Sequence, residues 1–298
     1  MKKMYSLLIV VLISFSCSND EIVSKDNPQQ RKPGRVINAL DPTKLARVIF
    51  YPGTNNERRW FFYPNGLLKK IVDANGTLLQ TFVYDTNNNW VQFQLFGANP
   101  ILSIITYDGS NRVSNSNTNG TNFPYNFNPV NNSYLVGAYT RALTTDNIYG
   151  SEWYLDYYEV EDENGNITYV PYNVYGYFCG YENNNQTISG NYDNPSQAYY
   201  QHDNKANPFK TALLPICKIA PLSKIFGISN YWLNANFNSQ NNVTLESYEI
   251  EDPESFQYEY VYNSNNLPIS QTRKSYYFNT LETTTLDILY YYQGDPIP

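Results

Sequence analysis

Histidine occurs once in 298 residues, at His202, and cysteine three times. A single imidazole nearly excludes His-built metal sites and the Ser- or Cys-His-Asp triads. No Ser or Cys with a local nucleophile signature accompanies His202, so the expectation there is a packed or edge-exposed ring. Beyond Cys17 only Cys179 and Cys217 remain, too few for a disulfide scaffold. They either pair in an oxidising compartment or stay as buried thiols. Basic residues are outnumbered, 20 Lys+Arg against 27 Asp+Glu for a net charge of −7, and no Lys/Arg cluster follows Lys2-Lys3. A nucleic-acid partner is thereby disfavoured. Helical periodicity is scarce after the N-terminal apolar run. These shortages imply no catalytic constellation, no metal and no cofactor.

The N-terminus reads as a leader. Lys2 and Lys3 precede an apolar run from Tyr5 to Phe15 that ends at Ser16-Cys17, of signal-peptide length and too short to span a bilayer. A small residue before a cysteine at that point resembles a bacterial lipobox, which implies cleavage after residue 16 and acylation of Cys17. Ser18-Asn19-Asp20-Glu21 resembles the export signal of Bacteroidetes surface lipoproteins. That resemblance implies an outer-membrane, cell-surface location with the membrane as partner through the lipid. Several acyl chains, at about 0.8 kcal/mol per buried methylene, hold a protein stably. Residues 17–35 are polar and broken by Pro28 and Pro33, a flexible tether. Residues 36–298 form the folded part, with about 123–194 as a candidate subdomain.

What the chain has in abundance is tyrosine, 30 residues within an aromatic content of 16%. Such rings suit a pleated surface where the ring packs and the hydroxyl reaches a partner. In "FQYEYVY", Phe256, Tyr258, Tyr260 and Tyr262 share one face and Gln257, Glu259 and Val261 the other, the alternation of a strand. Asn65-Gly66, Asn75-Gly76 and Asn164-Gly165 supply the positive φ of hairpin turns. Strands divided by such turns make an antiparallel meander.

The stretch "FFYPNGLLKKIVDANGTLLQTFVYD" states one phrase twice, and Tyr84-Asp85 and Tyr107-Asp108 continue it. It resembles the YD repeat of the Rhs family. "HDNKANPFK", His202 to Lys210, is similar to a phrase of YD-bearing Bacteroidetes lipoproteins whose activity is not established. The resemblance covers roughly 47–115 and 199–292 and implies an all-β fold of YD-like hairpins. Rhs shells need many repeats to close around a toxin. With few here, the expectation is an open curled sheet or half-barrel rather than a cage. Phe209 to Trp232 holds Pro215 and Pro221, which exclude one continuous helix. It is expected as a short-helix or loop segment that plugs or covers the sheet.

Candidate chemistry is thin. Glu159, Glu161, Asp162 and Glu163, and again Glu249, Glu251, Asp252 and Glu254, cluster beside turns. Glycoside hydrolysis needs two carboxyls facing across a cleft, and adjacent loop acids rarely do so. Asp162-x-Asn164-x-Asn166 opens like an EF-hand, but Ile167 and Asn173 stand where Gly and Glu belong. Trp60, Trp90 and Trp153 are the candidate ligand-binding residues, since rings on a sheet can stack on sugars; the bland alternative is core. The reading at this point is a non-catalytic surface binding or interaction module with a glycan or envelope-protein partner. Its alternatives are a carboxylate-based glycan-active enzyme or a structural envelope component.

Overall fold

The computed structural model describes residues 40–137, 139–143, 149–162, 166–191, 194–219, 231–248 and 254–296. The leader (1–16), Cys17, the tether, Glu163, Asn164-Gly165, Pro221, Glu249, Glu251 and Asp252 lie outside the described residues.

Eighteen strands follow one another: β1 (Leu45–Phe50), β2 (Arg58–Phe62), β3 (Leu68–Asp73), β4 (Leu78–Tyr84), β5 (Trp90–Leu95), β6 (Ile101–Tyr107), β7 (Val113–Thr118), β8 (Thr121–Asn128) and β9 (Ser133–Val136). The rest are β10 (Tyr139–Leu143), β11 (Tyr149–Glu161), β12 (Ile167–Glu182), β13 (Asn185–Asn191), β14 (Asn194–Ala206), β15 (Asn241–Tyr248), β16 (Glu254–Tyr262), β17 (Pro268–Tyr277) and β18 (Thr280–Tyr292). Each pairs antiparallel with its neighbours in sequence. Residues 123–194 supply strands to this same sheet.

The all-β antiparallel meander is as expected, but the open curled sheet or half-barrel is not. β1 pairs with β18 through Leu45↔Tyr292, Arg47↔Tyr291, Val48↔Tyr290, Ile49↔Leu289 and Phe50↔Ile288, so the sheet closes into a barrel. The expectation counted recognisable repeats, whereas closure depends on the number of strands, and stretches without the repeat also pair. Both seam strands turn apolar side chains inward: Val48, Phe50, Ile288, Tyr290 and Tyr292 are buried in one core. The ladder and the core therefore favour the same closure.

The repeat builds one mouth of this barrel, where even-numbered strands end and odd ones begin. In four mouth hairpins the returning strand carries one extra residue, namely Lys69, Val91, Ser114 and Ile269, just after the turn. Such bulges raise the local twist and re-aim side chains. Tyrosines at these strand ends point inward and cap backbone carbonyls. Tyr63 Oη donates to Phe82 O (3.1 Å), Tyr107 to Trp90 O (2.9 Å), Tyr260 to Val243 O (2.9 Å) and Tyr292 to Pro268 O (2.9 Å). A buried carbonyl without a partner is costly, so the abundant tyrosines satisfy the wall as well as fill it.

Among the described residues two helices, α1 (Pro208–Cys217) and α2 (Tyr231–Asn238), lie between β14 and β15. Pro208 starts α1, where a missing amide hydrogen costs nothing, and Pro215 falls in its last turn. The helices enter the lumen and meet the opposite wall. The ring of Phe209 lies 6.0 Å from Phe50, 6.1 Å from Trp60, 5.6 Å from Tyr290 and 4.8 Å from Phe237 of α2. The segment plugs the barrel.

The phrase "HDNKANPFK" fastens the plug. The Asn207 side chain accepts from Phe209 N (3.0 Å) as the helix cap and donates to Asn236 O and to Ser239 O (3.1 Å). Lys210 Nζ donates to Asn238 O (2.8 Å). Asp203 accepts from Lys205 N (2.9 Å), Asn242 N (3.1 Å) and the Tyr262 hydroxyl.

The outer face carries charged side chains on β2, β3, β16 and β17 beside exposed apolar ones such as Leu102, Ile104 and Val261. Trp60 and Tyr258 point inward, so Arg59, Phe61 and Glu259 point outward. Lys70 Nζ sits 4.9 Å from the Phe61 ring, and Lys274 Nζ pairs with Glu259 at 2.5 Å. A lipid-facing wall is apolar over about 25 Å of its height; here charges interrupt it.

Candidate functional site: a cleft at the asparagine-lined mouth

The mouth turns are built on one local device. Asp85 Oδ1 accepts from Asn87 N (2.8 Å) and Asn89 N (2.8 Å), and Asp108 Oδ1 from Ser110 N (2.8 Å) and Arg112 N (2.9 Å). In Asn263 the amide oxygen does the same for Asn265 N (2.9 Å) and Leu267 N (3.1 Å). These are Asx turns, and the short acceptor fixes the loop. Asp162, from the EF-hand-like stretch, accepts from Asn166 N (2.9 Å) and Asn166 Nδ2 (2.9 Å) in the same manner at the far rim.

Neighbouring mouth turns are then joined through asparagine side chains. Asn65 Nδ2 donates to Asn88 Oδ1 (2.8 Å) and Asn89 Nδ2 to Asn111 Oδ1 (2.6 Å). Between this amide ladder and α1 lies a cleft of about 580 Å³, within the range of small-ligand sites. Asn65, Asn87, Asn88, Asn89, Asn111 and Asn132 give it amides, while Phe127, Tyr134, Val113, Leu214 and Ile219 give it apolar walls. Among the described residues its charged lining side chains are Arg112 and Lys218, and none is acidic. The Arg112 guanidinium carbon lies 4.3 Å from the centre of the Phe127 ring, a cation–π distance.

The three candidate tryptophans do not meet in this cleft or elsewhere. Trp60 and Trp90 are core residues, 2% and 3% exposed, and Trp60 packs on the plug at 5.4 Å from Phe237. Trp153 is half-buried on β11. It faces away from its neighbour Glu152, whose carboxylate meets Arg141 Nε on the inner side at 2.8 Å. Alternation along a strand marks two faces but not which one is inside.

His202 sits under the plug with Nε2 3.0 Å from Ser239 Oγ. Burial pulls its pKa down to about 4, against the opposing pull of Asp203. Cys179 and Cys217 form no disulfide with each other, and burial pushes the Cys217 thiol up to about 12. Among the loop acids, Glu159 and Glu161 are exposed and Glu254 is half-buried at the start of β16.

The carboxyl that sequence reasoning missed is Glu246. It is fully buried on the inner face of β15 and accepts from the hydroxyls of Tyr248 (2.5 Å) and Tyr258 (2.8 Å). Burial drives its pKa up to about 7, against the lowering by these hydroxyls and by Arg273. Its only sequence signal was an acid at an inward-facing strand position, visible once the inside is known.

Fold and cleft together define a closed, plugged up-and-down β-barrel with a polar mouth cleft that holds Arg112 and Lys218. No protein-family model matches the chain, and no curated protein matches it in sequence. Among solved structures it is similar to a porin-like protein from Bacteroides uniformis, with 12% identity over 85% of this chain and 98% of that one, at a TM-score of 0.38. A porin-like protein from Bacteroides vulgatus gives 12% identity, coverage of 84% and 99%, and a TM-score of 0.31. TcdB2-TccC3 gives 11% identity over 78% of this chain and 13% of that one, at 0.28. Likenesses at these scores carry no argument about function.

Proposed function

We propose that the chain is a YD-repeat lipoprotein, held through Cys17 at the outer face of the outer membrane, that acts as a non-catalytic binding module for a glycan. The observation that carries this reading is the mouth cleft. Hydroxyl-rich ligands need many amide donors and acceptors beside an apolar face, and the cleft sets asparagine side chains opposite Phe127 and Leu214. The amide ladder joins the turns to one another, so the donors are positioned before a ligand arrives. The lipobox-like Ser16-Cys17 and the acidic stretch after it support the anchor. The charges on the outer wall support a barrel standing in water on a tether rather than one inserted in lipid.

Two measurements test this. The mature chain, solubilised in detergent, is passed over immobilised polysaccharides while new reducing ends are assayed; retention without cleavage is expected. Cleavage abolished by changing one Asp or Glu would establish the enzyme instead. Mass spectrometry of the N-terminal peptide is expected to show an acylated Cys17, and an unmodified one would remove the anchor.

A further inference from the structure

We infer that the mouth cleft selects saccharides that carry an acidic group, gripped between Arg112 and Lys218. This rests on the reading of the cleft as a glycan site and narrows it to a ligand class. In a chain with an excess of acids, the described lining of the cleft holds two cations and no anion. Among the described residues neither cation forms an ion pair. The nearby turn carboxylates of Asp85 and Asp108 are directed at backbone amides of their own loops, and neither lines the cleft.

The two cations come from different elements. Arg112 closes the β6–β7 turn with its guanidinium over the Phe127 ring, and its planar donors form a fork. Such a fork matches a carboxylate or sulfate through two parallel hydrogen bonds. Lys218 follows the last turn of α1 on the plug side and supplies a mobile point charge. An acidic sugar held between them keeps its hydroxyls within reach of the Asn65 and Asn111 amides and its C–H face on Leu214. A concave site with one sign of charge also concentrates ligands of the opposite sign, an effect that salt weakens.

The test uses the full mature chain in detergent and isothermal titration with three probes. These are trigalacturonate, its methyl ester and a sulfated galacto-oligosaccharide. At least one acidic probe is expected to bind about tenfold or more tightly than the ester, with affinity falling as salt rises. Arg112→Gln and Lys218→Gln are each expected to erase most of that preference, while Arg112→Lys retains the salt dependence but loses affinity. Both positions are exposed, and unchanged thermal melts confirm that the variants fold. Equal binding of acid and ester would overturn the inference yet leave the glycan site standing. Binding of acidic probes untouched by both Gln variants would move the acid site elsewhere and overturn it too. No binding of any probe would remove both readings.

Discussion

Glu246 and His202 are buried ionisable groups whose pKa values move in opposite directions, and each leaves its own mark on stability against pH. Glu246 stands at about 7 against an ordinary 4.5, so between those values the folded chain binds more protons than the unfolded one. Stability from this group is full below pH 4.5 and is lost as pH rises through 7. The gap corresponds to about 3 kcal/mol. Glu246→Gln keeps the shape without the charge. It is expected to raise the unfolding free energy at pH 8 by about 2–3 kcal/mol and to change little at pH 4.5, read by urea titration. The groups facing it are Tyr200, Tyr248, Tyr258, Arg273 and Glu254.

His202 behaves inversely. Its folded pKa of about 4 against 6.5 gives stability that is present above pH 6.5 and lost as pH falls through 4. The ring keeps partial contact with water, so screening reduces the effect to about 1–2 kcal/mol. His202→Gln is expected to flatten that acid limb relative to wild type. If the two profiles stay parallel from pH 7 to 4, the ring takes up its proton as readily in the folded chain as in the unfolded one. Neither residue's role was legible beforehand, because a pKa depends on burial and burial depends on which face of a strand turns inward.

At the scale of elements, local chemistry was legible and its combinations were not. The turns at Asn65-Gly66 and Asn75-Gly76 formed where the dipeptides placed them, with Gly66 at φ +86° and Gly76 at φ +84°. At Gly66 an added Cβ would also press on Lys44 at 3.3 Å. The ladder that joins Asn65 to Asn88 and Asn89 to Asn111 was not legible. It depends on which turns stand side by side, and that is a property of strand register. Asn207 shows the same limit: its place before Pro208 signals a cap, while its bonds to Asn236 and Ser239 exist only once the plug is folded. Asn207→Ala removes the cap and strands two carbonyls, at a combined cost of about 2–3 kcal/mol. Asn65→Ala, at a wet rim, is expected to cost under about 1 kcal/mol. Denaturant midpoints measured side by side decide the ranking, and an equal loss for the two would show that the cap does not hold the plug.

At the scale of the molecule, the seam between β1 and β18 joins Leu45 to Tyr292, the two ends of the folded chain. No local pattern encodes such a pairing, which is why the sequence read as an open sheet. Every other ladder links neighbours along the chain, so the seam alone carries the full loop-closure entropy. Pulse-labelling hydrogen exchange during refolding is expected to protect the amides of β6 and β7 early and those of Ile49 and Tyr51, which face β18, last. Early protection of these two amides would mean that the ends meet before the wall is built.

A ribbon rich in tyrosine, asparagine and glutamine is the kind of polymer that stacks into fibrils when its backbone is left unpaired. Once the last strand has met the first, β1 and the end of β18 no longer offer a row of free amides to template a neighbour. That edge is then withheld from other copies. Opening the seam, by placing proline at Ile49 for example, would convert a tolerant neighbour into a nucleus.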